Sequence, residues 1–385
     1  TQEDFEQLVS EAKKRWIRLI LDGVFNHTGD DSLYFNKYGH YNSVGAYQST
    51  ESPYIDWFLF YSYPNGYDSW WGINTLPAVN ETSKSYQNFL FGADGVLKHW
   101  LHTGISDYRL DVADELPDFF LKKLRKAVKE RDPEPMIIGE VWEDASNKVA
   151  YGERREYFQG EELDSVMNYP LKEAIIGYIL DGNSEILLET VYMLIDNYPK
   201  CVLDSLMNIL STHDTCRILT VFGEKKAYNK EEMAVTFLDE EEKAVAVHRL
   251  KLAAVLQYTL PGVPCVYYGD ENAMEGYIDP FCRRCFDWEH LNEDLIGFYQ
   301  KLGTLRRDYR EILKDGNFIE VYHENELLIF ARYNDEGCCY VYINNSSKIY
   351  NLSLSGAFTE LISGKTTENF LQITAYSYGI LVKTR

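Results

Sequence analysis

The sequence is short of positive charge. Its 385 residues include 38 lysine and arginine residues against 60 aspartate and glutamate residues, which gives a formal net charge of −22 at pH 7. Nucleic acids and anionic membrane surfaces are bound through basic patches, so this balance argues against both as partners. It suits a soluble enzyme that acts on a neutral substrate.

Long apolar runs are missing as well. No stretch approaches the roughly 20 apolar residues that a membrane-spanning helix needs, and no secretory signal opens the chain. The chain starts at Thr1 without an initiator methionine, so the missing signal carries little weight.

Cysteine is scarce, and its pattern does not indicate a disulfide framework. There are seven cysteines, an odd number, and Cys338 and Cys339 are adjacent. We therefore expect a reducing compartment, the cytoplasm. Cys282 and Cys285 have the spacing of a metal-binding pair, but no second pair accompanies them, so ordinary thiols are the better interpretation.

Aromatic residues, in contrast, are abundant. They make up 15% of the chain, with 30 tyrosines and 7 tryptophans. Aromatic faces stack on sugar rings, so the composition fits a carbohydrate site, although tyrosine-rich cores are also common. The length is sufficient for a large barrel and a smaller appended domain.

Four apolar stretches, each short enough for a strand, end in acids or histidines. They are Leu19–His27, Gly104–Leu116, Met136–Trp142 and Asn208–Thr215. Polar groups at the carboxyl ends of several strands are typical of the active face of a (β/α)8 barrel. In the second stretch, Arg109 and Asp111 are two residues apart and share one face of the strand, so the guanidinium would keep the carboxylate ionised. Taken alone, such a pair can equally be structural.

Helices and later strands can also be predicted from periodicity. The helical pattern covers Thr1–Lys14, Phe89–Thr103, Asp118–Lys129, Glu241–Leu260 and Leu291–Tyr309. From about Asp315 the pattern changes to period two, which is typical of strands. The candidate strands there are Phe318–Val321, Leu327–Tyr333, Cys339–Ile343, Tyr350–Leu354 and Ile380–Lys383.

In this order, the four polar-ended stretches resemble the four signature regions of the alpha-amylase superfamily, glycoside hydrolase family thirteen. Two further segments, Tyr67–Pro77 and Asp164–Pro170, are similar to those of the neopullulanase, cyclomaltodextrinase and maltogenic amylase subgroup. The segment Pro261–Glu271 resembles the last barrel strand of the family. The resemblance runs from about Ala12 to the C-terminus.

The resemblance implies an α/β fold of three parts. A (β/α)8 TIM barrel would occupy residues 1–28 and 94–312, and a small inserted domain after the third strand would occupy residues 29–93. A C-terminal β-sandwich would occupy residues 313–385.

The resemblance also implies a catalytic mechanism. Retaining glycoside cleavage uses two carboxyls roughly 5–5.5 Å apart, on opposite sides of the bond that is cut. Asp111 would be the nucleophile and Glu140 the acid/base, while Asp214 would be the third acid, which grips sugar hydroxyls. The apolar neighbours of Glu140 favour the raised pKa that a proton donor needs.

Further residues would bind the sugar around these acids. The resemblance implies that His27 and His213 donate hydrogen bonds to the reacting ring and that Asp22 holds Arg109. Trp142 would line the acceptor side.

Two residue pairs retain a structural alternative. Asp279 and Arg283 would bind the next sugar along, or they form an ion pair that fixes a loop. Trp70 and Trp71 would be sugar platforms, or they form the core of the inserted domain.

No cofactor is required by this mechanism. Asn26 matches a calcium ligand of the family. However, Glu115 stands where calcium-binding amylases end this motif with a Lys-His pair, which argues against calcium.

Two alternative functions would use some of the same residues. The first is a metal-dependent hydrolase, whose ligands would be Asp22, His27, Glu140, His213 and Asp214. The sequence has no close pair of histidines, which argues against it. The second is a glycan-binding barrel without catalysis, which would be expected to lack one of the three acids, and all three are present.

The sequence therefore predicts a retaining alpha-glucan hydrolase that cleaves α-1,4 bonds, with α-1,6 bonds as a second candidate. Starch, pullulan, cyclodextrins and maltodextrins are the candidate substrates.

The barrel nevertheless has too few strands. Only six can be counted where a closed barrel needs eight; they start near Trp16, Ile105, Met136, Asp164, Leu206 and Pro261. In the family, the strand with the D-x-x-x-x-H pattern is the third, and here only one helix precedes it. We therefore expect this chain to be part of a longer protein, or to receive its missing strands from another chain in a homo-oligomer.

Overall fold

The computed structural model describes residues 1–130 and 132–383. Within it the chain forms two compact units, the first from Thr1 to Met167 and the second from Asn168 onwards. No described helix is both long and apolar enough to cross a membrane.

The helices of the first unit follow the predicted pattern closely. They are α1 (Gln2–Lys14), α2 (Lys84–Phe91), α3 (Val96–Thr103) and α4 (Asp118–Lys129). Thr1 and Asp4 form a capping box at the start of α1. The prediction for α4 is confirmed to the residue.

One helix prediction in this unit is wrong. The continuous helix expected from Phe89 to Thr103 is divided between α2 and α3. The chain turns sharply at Gly92, where a Cβ would lie only 2.4 Å from the carbonyl oxygen of Asn88. Only glycine permits this close approach, and the periodicity of the apolar residues did not reveal it.

The strands of the first unit form one main sheet and two hairpins. They are β1 (Ile20–Gly23), β2 (Phe60–Ser62), β3 (Gly66–Tyr67), β4 (Asp107–Leu110), β5 (Ile137–Gly139), β6 (Val149–Ala150), β7 (Glu153–Arg154) and β8 (Ser165–Val166). The main sheet is parallel, with the order β1-β4-β5-β8, while β2 pairs with β3 and β6 with β7. Asp22 is the registered neighbour of Arg109, and Arg109 that of Ile138. The residues after β1, β4 and β5 therefore leave the sheet at the same edge.

β1 lies at the border of the main sheet, and no other described strand pairs with its free side. The chain before and within it exposes apolar side chains: Trp16 is 95% exposed, Ile17 53% and Ile20 48%. An open apolar edge is a template for pairing with a further strand.

The segment between β1 and α2 folds around a small aromatic core. Phe35 is fully buried, and its ring contacts those of Tyr47, Phe58, Phe60 and Tyr67 at centroid distances between 4.8 and 6.0 Å. Aromatic packing of this kind gives a short segment a stable core.

The helices of the second unit include the two longest in the described residues. They are α5 (Tyr169–Asp181), α6 (Ser184–Asn197), α7 (Lys200–Leu203), α8 (Ile218–Phe222), α9 (Lys230–Val235), α10 (Glu240–Thr259), α11 (Glu293–Asp308) and α12 (Arg310–Leu313). Asp239 and Glu242 form a capping box at the start of α10. Both α10 and α11 lie within two residues of their predicted limits.

Two short strands of the second unit, β9 (Met207–Asn208) and β10 (Val263–Pro264), form a parallel pair. The main sheet of the first unit holds four parallel strands and this pair holds two, each near one of the six predicted starting points.

The C-terminal part of the second unit is an antiparallel sheet. Its strands are β11 (Asn317–Glu324), β12 (Leu327–Asn334), β13 (Gly337–Asn344), β14 (Tyr350–Glu360), β15 (Thr366–Ile373) and β16 (Ser377–Lys383). They join in the single order β11-β12-β13-β16-β14-β15, so the predicted sandwich of two sheets is corrected to one continuous sheet. Leu327 of β12 and Ile373 of β15 share one apolar core, which shows that the sheet curls over itself.

Candidate active site

Arg109 lies at the centre of an ion-pair network at the carboxyl ends of β1, β4 and β5. Its Nη1 donates hydrogen bonds to Oδ1 and Oδ2 of Asp22, at 2.8 and 3.0 Å, and to Oδ1 of Asp111, at 2.8 Å. Its Nη2 lies 2.8 Å from Oε2 of Glu140. One guanidinium therefore holds three carboxylates that come from three neighbouring strands.

The charge of Arg109 is secured by these partners. Arg109 is only 9% exposed, and burial opposes its charge. The negative charges of Glu140, Asp22 and Asp111 outweigh that cost and raise the pKa of the guanidinium above its usual value. The positive charge of Arg109 is thus permanent.

Glu140 is fixed by groups other than Arg109. Nη2 of Arg109 is close to Glu140 but makes no hydrogen bond to any described residue, so this contact is purely an ion pair. Oε2 of Glu140 accepts a hydrogen bond of 3.0 Å from the backbone N–H of Val112, and Oε1 accepts one of 3.1 Å from Nε1 of Trp142. The acid is therefore positioned by directional bonds at both of its oxygens.

The turn after Asp111 brings two backbone N–H groups into contact with Glu140. Val112 has a φ of 40°, in the left-handed region that β-branched residues rarely adopt. Its N–H reaches the side chain of Glu140, and the N–H of Ala113 donates to the backbone oxygen of Glu140 at 3.2 Å. The unusual backbone at Val112 thus couples the two acids.

The environment of Glu140 suits a proton donor. Burial raises the pKa of Glu140, and the charge of Asp111 adds to the rise, while Arg109 and the hydrogen bond from Val112 partly oppose it. The net direction is upward, as the apolar sequence around Glu140 predicted. Asp111 and Glu140 contact the same guanidinium, so their nearest oxygens are closer than about 9.5 Å, the upper limit of the usual glycosidase geometries.

His27 and Trp70 stand beside these acids. The two rings stack with centroids 5.2 Å apart, and Nδ1 of His27 lies 3.3 Å from Oδ1 of Asn26. Burial lowers the pKa of His27, and the charge of Asp111 opposes that effect only in part. The imidazole is therefore neutral near pH 7, with one N–H to donate.

Trp71 is a surface residue and lies outside the buried core of the inserted segment. Its side chain is 78% exposed, and its ring stacks on that of Trp70 at 5.4 Å. The core of the inserted segment is built around Phe35 instead. Trp71 is thus free to present an aromatic face to a ligand.

Glu115 holds two exposed aromatic residues, a role that the sequence did not indicate. Its Oε1 accepts a hydrogen bond of 3.0 Å from Nε1 of Trp71, and its Oε2 accepts one from the hydroxyl of Tyr151, which is 76% exposed. The nearby Glu81 has its pKa raised to about 7 by burial, with a contribution from the charge of Glu115. Tyr151 lies at the β6–β7 turn and carries no recognisable motif.

The remaining predicted residues form a group of their own in the second unit. Nη2 of Arg283 lies 3.1 Å from Oδ1 of Asp214, and its Nε lies 2.9 Å from Oδ1 of Asp279. Nε2 of His213 lies 3.2 Å from Oδ2 of Asp214. The Asp279–Arg283 ion pair is therefore present, and it extends to the predicted third acid.

The metal-hydrolase alternative lacks a ligand set within either unit. Asp22, His27 and Glu140 belong to the first unit and His213 and Asp214 to the second, and neither subset supplies three convergent metal ligands among the described residues.

Known proteins resemble this chain over most of its length. The sequence model of the alpha-amylase catalytic domain matches residues 1–311. An amylopullulanase of Thermoanaerobacter thermohydrosulfuricus is 34% identical over 415 residues, which cover 94% of the chain and 27% of that protein. A cyclomaltodextrinase of Thermoanaerobacter pseudethanolicus is 32% identical over 356 residues, which cover 89% of the chain and 54% of that protein. The chain thus spans about a quarter to about half of these relatives.

Among solved structures, the type III pullulan hydrolase from Thermococcus kodakarensis superposes with a TM-score of 0.82. It is 28% identical, and the match covers 100% of this chain and 63% of that one. The fold is that of an alpha-amylase catalytic domain, of the TIM-barrel type, with a C-terminal antiparallel sheet. With residues 1–311 matched and the polar-ended strands in the family order, the chain belongs to the alpha-amylase family, glycoside hydrolase family thirteen.

Proposed function

We propose that this chain carries the catalytic residues of a retaining alpha-glucan hydrolase. The enzyme cleaves α-1,4 glucosidic bonds, with α-1,6 bonds as a second linkage to be tested. The observation that carries the proposal is the shared contact of Asp111 and Glu140 with Arg109, combined with the raised pKa of Glu140. One acid is thereby paired with a permanent cation, and the other favours its protonated form.

In the first step, Asp111 attacks the anomeric carbon of the glucosyl unit. Oδ1 of Asp111 accepts a hydrogen bond from Arg109, so we assign the attack to Oδ2. The bond from the anomeric carbon to the leaving oxygen breaks as Glu140 gives its proton to that oxygen. The products are a glycosyl ester of Asp111, a Glu140 carboxylate and a shortened glucan with a free hydroxyl.

In the second step, the same residues act in reverse. The Glu140 carboxylate takes a proton from water as the water oxygen attacks the anomeric carbon. The ester bond breaks, and Asp111 regains its negative charge beside Arg109. Two inversions at one carbon give net retention.

The other residues of the first unit support these two acids. Asp22 anchors Arg109, and the neutral His27 supplies a hydrogen-bond donor for a sugar hydroxyl. Trp142 fixes Glu140 through its indole and leaves 48% of its surface exposed, which suits the acceptor side. Asp214 and His213 take the roles of third acid and hydroxyl donor on the strength of the family resemblance.

The relatives narrow the substrate class. They are named as an amylopullulanase, a cyclomaltodextrinase and a pullulan hydrolase. Starch, pullulan, cyclodextrins and maltodextrins are therefore the substrates that we propose for this protein.

Product chromatography on these four substrates tests the proposal. The assay uses the polypeptide as it is encoded, including any residues that precede Thr1. We expect glucose, maltose or panose-type products from at least one substrate, with the anomeric configuration retained on first release. Binding of maltodextrins without cleavage of any substrate would overturn the proposal in favour of a glycan-binding protein. Products of inverted configuration would overturn the assignment of Asp111.

A further inference from the structure

Three carboxylates of the first unit come together outside the Arg109 network. One oxygen each from Asp118, Glu156 and Glu162 lies within 4.8 Å of the other two, and no other group of this kind occurs among the described residues. Asp118 is the first residue of α4, while Glu156 and Glu162 lie between β7 and β8. The cluster therefore joins the segment that follows the Asp111 strand to the segment that follows the Glu140 strand.

Glu162 lies at the bottom of this cluster and lacks the partners that a buried acid needs. Its side chain is fully buried, and neither of its oxygens has a hydrogen-bond partner. Burial raises its pKa to about 7, with a contribution from the charge of Asp118. A buried carboxylate without hydrogen bonds is costly, and a cation or a proton is needed to relieve that cost.

The cations already present do not meet this need. Nζ of Lys122 lies 2.7 Å from Glu156 but 4.0 Å from Glu162, and it lies 3.7 Å from a fourth acid, Glu161. Arg155 faces Asp118 at 3.1 Å. Two basic side chains thus face four acids. Glu162, the most deeply buried of the four, lies farther from the ammonium group of Lys122 than Glu156 or Glu161 does.

The cluster is open to solvent on one side. The side chain of Glu156 is 42% exposed and that of Lys122 is 36% exposed. An ion can therefore enter from this side, and the long lysine side chain can turn into solvent as it does so.

We propose that Asp118, Glu156 and Glu162 bind a calcium ion, which displaces Lys122 and ties together the segments that follow the two acid-bearing strands. Ca²⁺ takes six to eight oxygen ligands at about 2.3–2.6 Å, so oxygens of one shell lie up to roughly 5 Å apart. Three carboxylates, some of them bidentate, and water on the open side fit this requirement. Mg²⁺ requires a tighter octahedral shell and gives up its bound water reluctantly. A group of three carboxylates, two of which are now bridged by Lys122, therefore suits Mg²⁺ less well than Ca²⁺.

The site is distinct from the calcium ligand that the sequence suggested. Asn26 is buried beside His27, outside the group formed by Asp118, Glu156 and Glu162. Calcium bound at this group would have a structural role. It would stiffen the loop that carries Tyr151 and the start of α4.

Thermal unfolding and calorimetry test the inference on the full chain. The protein is first freed of metal with a chelator and then titrated with calcium chloride alone. We expect one ion per chain and a rise of several degrees in Tm. Glu162→Gln, which keeps the shape of the side chain, should abolish the rise. The matched control Glu161→Gln, at an acid whose side chain is 72% exposed, should retain it.

A second variant keeps the inference testable if Glu162→Gln folds poorly. Lys122→Met removes the competing ammonium, so it should tighten calcium binding several-fold. The inference is overturned if calcium leaves the Tm of the wild-type chain unchanged, or if magnesium raises it and calcium does not. It is also overturned if the calcium response survives Glu162→Gln and disappears in Asn26→Ala. None of these measurements depends on the proposed activity.

Discussion

The backbone N–H of Val112 donates a 3.0 Å hydrogen bond to Oε2 of Glu140, so the residue after the proposed nucleophile holds the proposed acid. A disturbance of the chain at either acid is therefore transmitted to the other. Substitutions that keep the shape of the side chain are for this reason the most informative tests of the site.

Asp111→Asn should leave folding intact and reduce kcat by at least about 10³-fold, since an amide oxygen is a poor nucleophile. The rate of maltodextrin hydrolysis and the Tm are the two measurements. Asp94→Asn, at an exposed position, is the matched control and should keep both values. A variant at Asp111 that retained a sizeable part of the activity would rule out its assignment as nucleophile.

Glu140→Gln should be nearly inactive on ordinary glucans, because the leaving oxygen no longer receives a proton. It should recover part of its activity on glycosyl fluorides or activated aryl glycosides, whose leaving groups need no proton. The ratio of the rates on the two substrate types is the measurement. Equal losses on both would contradict the acid role.

Trp142→Phe should move the alkaline limb of the pH profile of kcat/KM to higher pH. The indole of Trp142 donates to Glu140 and stabilises its ionised form, so losing this bond raises the pKa of Glu140 further. The step needs protonated Glu140, and a higher pKa therefore extends activity upward in pH. Trp288→Phe, at a tryptophan that is 78% exposed, is the control and should leave the limb in place. A shift toward lower pH in Trp142→Phe would contradict the argument.

Glu115→Ala should weaken the binding of long oligosaccharides more than it slows the chemical step. It releases Trp71 and Tyr151, which Glu115 holds by hydrogen bonds worth roughly 1 kcal/mol each. We expect KM for a long maltodextrin to rise about fivefold or more, with a smaller change in kcat. Glu115→Gln keeps one acceptor oxygen and should show an intermediate value. A fall in kcat at unchanged KM would show that Glu115 acts on the reaction itself.

The free side of β1 predicts the behaviour of residues 1–385 expressed alone. We expect this chain to self-associate, because the strand presents unpaired backbone groups beside exposed Trp16 and Ile20. Light scattering after size exclusion measures the association. Ile20→Lys should reduce it, since a charge on an edge strand discourages pairing. A monodisperse monomer would contradict this expectation.

The sequence predicted which helices and strands occur better than the residues at which they begin and end. The period of apolar residues located α4 and α10, but the strand expected to start near Leu206 covers only Met207–Asn208. Hydrogen bonding to a neighbour determines where a strand ends, and apolar runs do not encode it. β15 was missed because most of its side chains are exposed or half-buried, so no apolar alternation marks it.

The sequence predicted those contacts of the candidate site that join residues close together in the chain. Arg109 and Asp111 share a face because a strand has period two, and that spacing is visible in the sequence. The contact of Glu115 with Tyr151 joins residues 36 positions apart, and it arises only when the β6–β7 hairpin folds back. The burial of Glu162 was equally hidden, since acids are usually exposed and no sequence signal marks the exception.

The contact of Arg109 with three carboxylates has a consequence for the pH dependence of the enzyme. The charge of Arg109 lowers the pKa of Glu140 against the effect of burial, and Asp22 holds the same guanidinium through two hydrogen bonds. The position of Arg109, which Asp22 helps to set, therefore influences the pKa of Glu140. Replacing Asp22, which takes no part in bond-making, should therefore shift the pKa of Glu140, two strands away in the sheet.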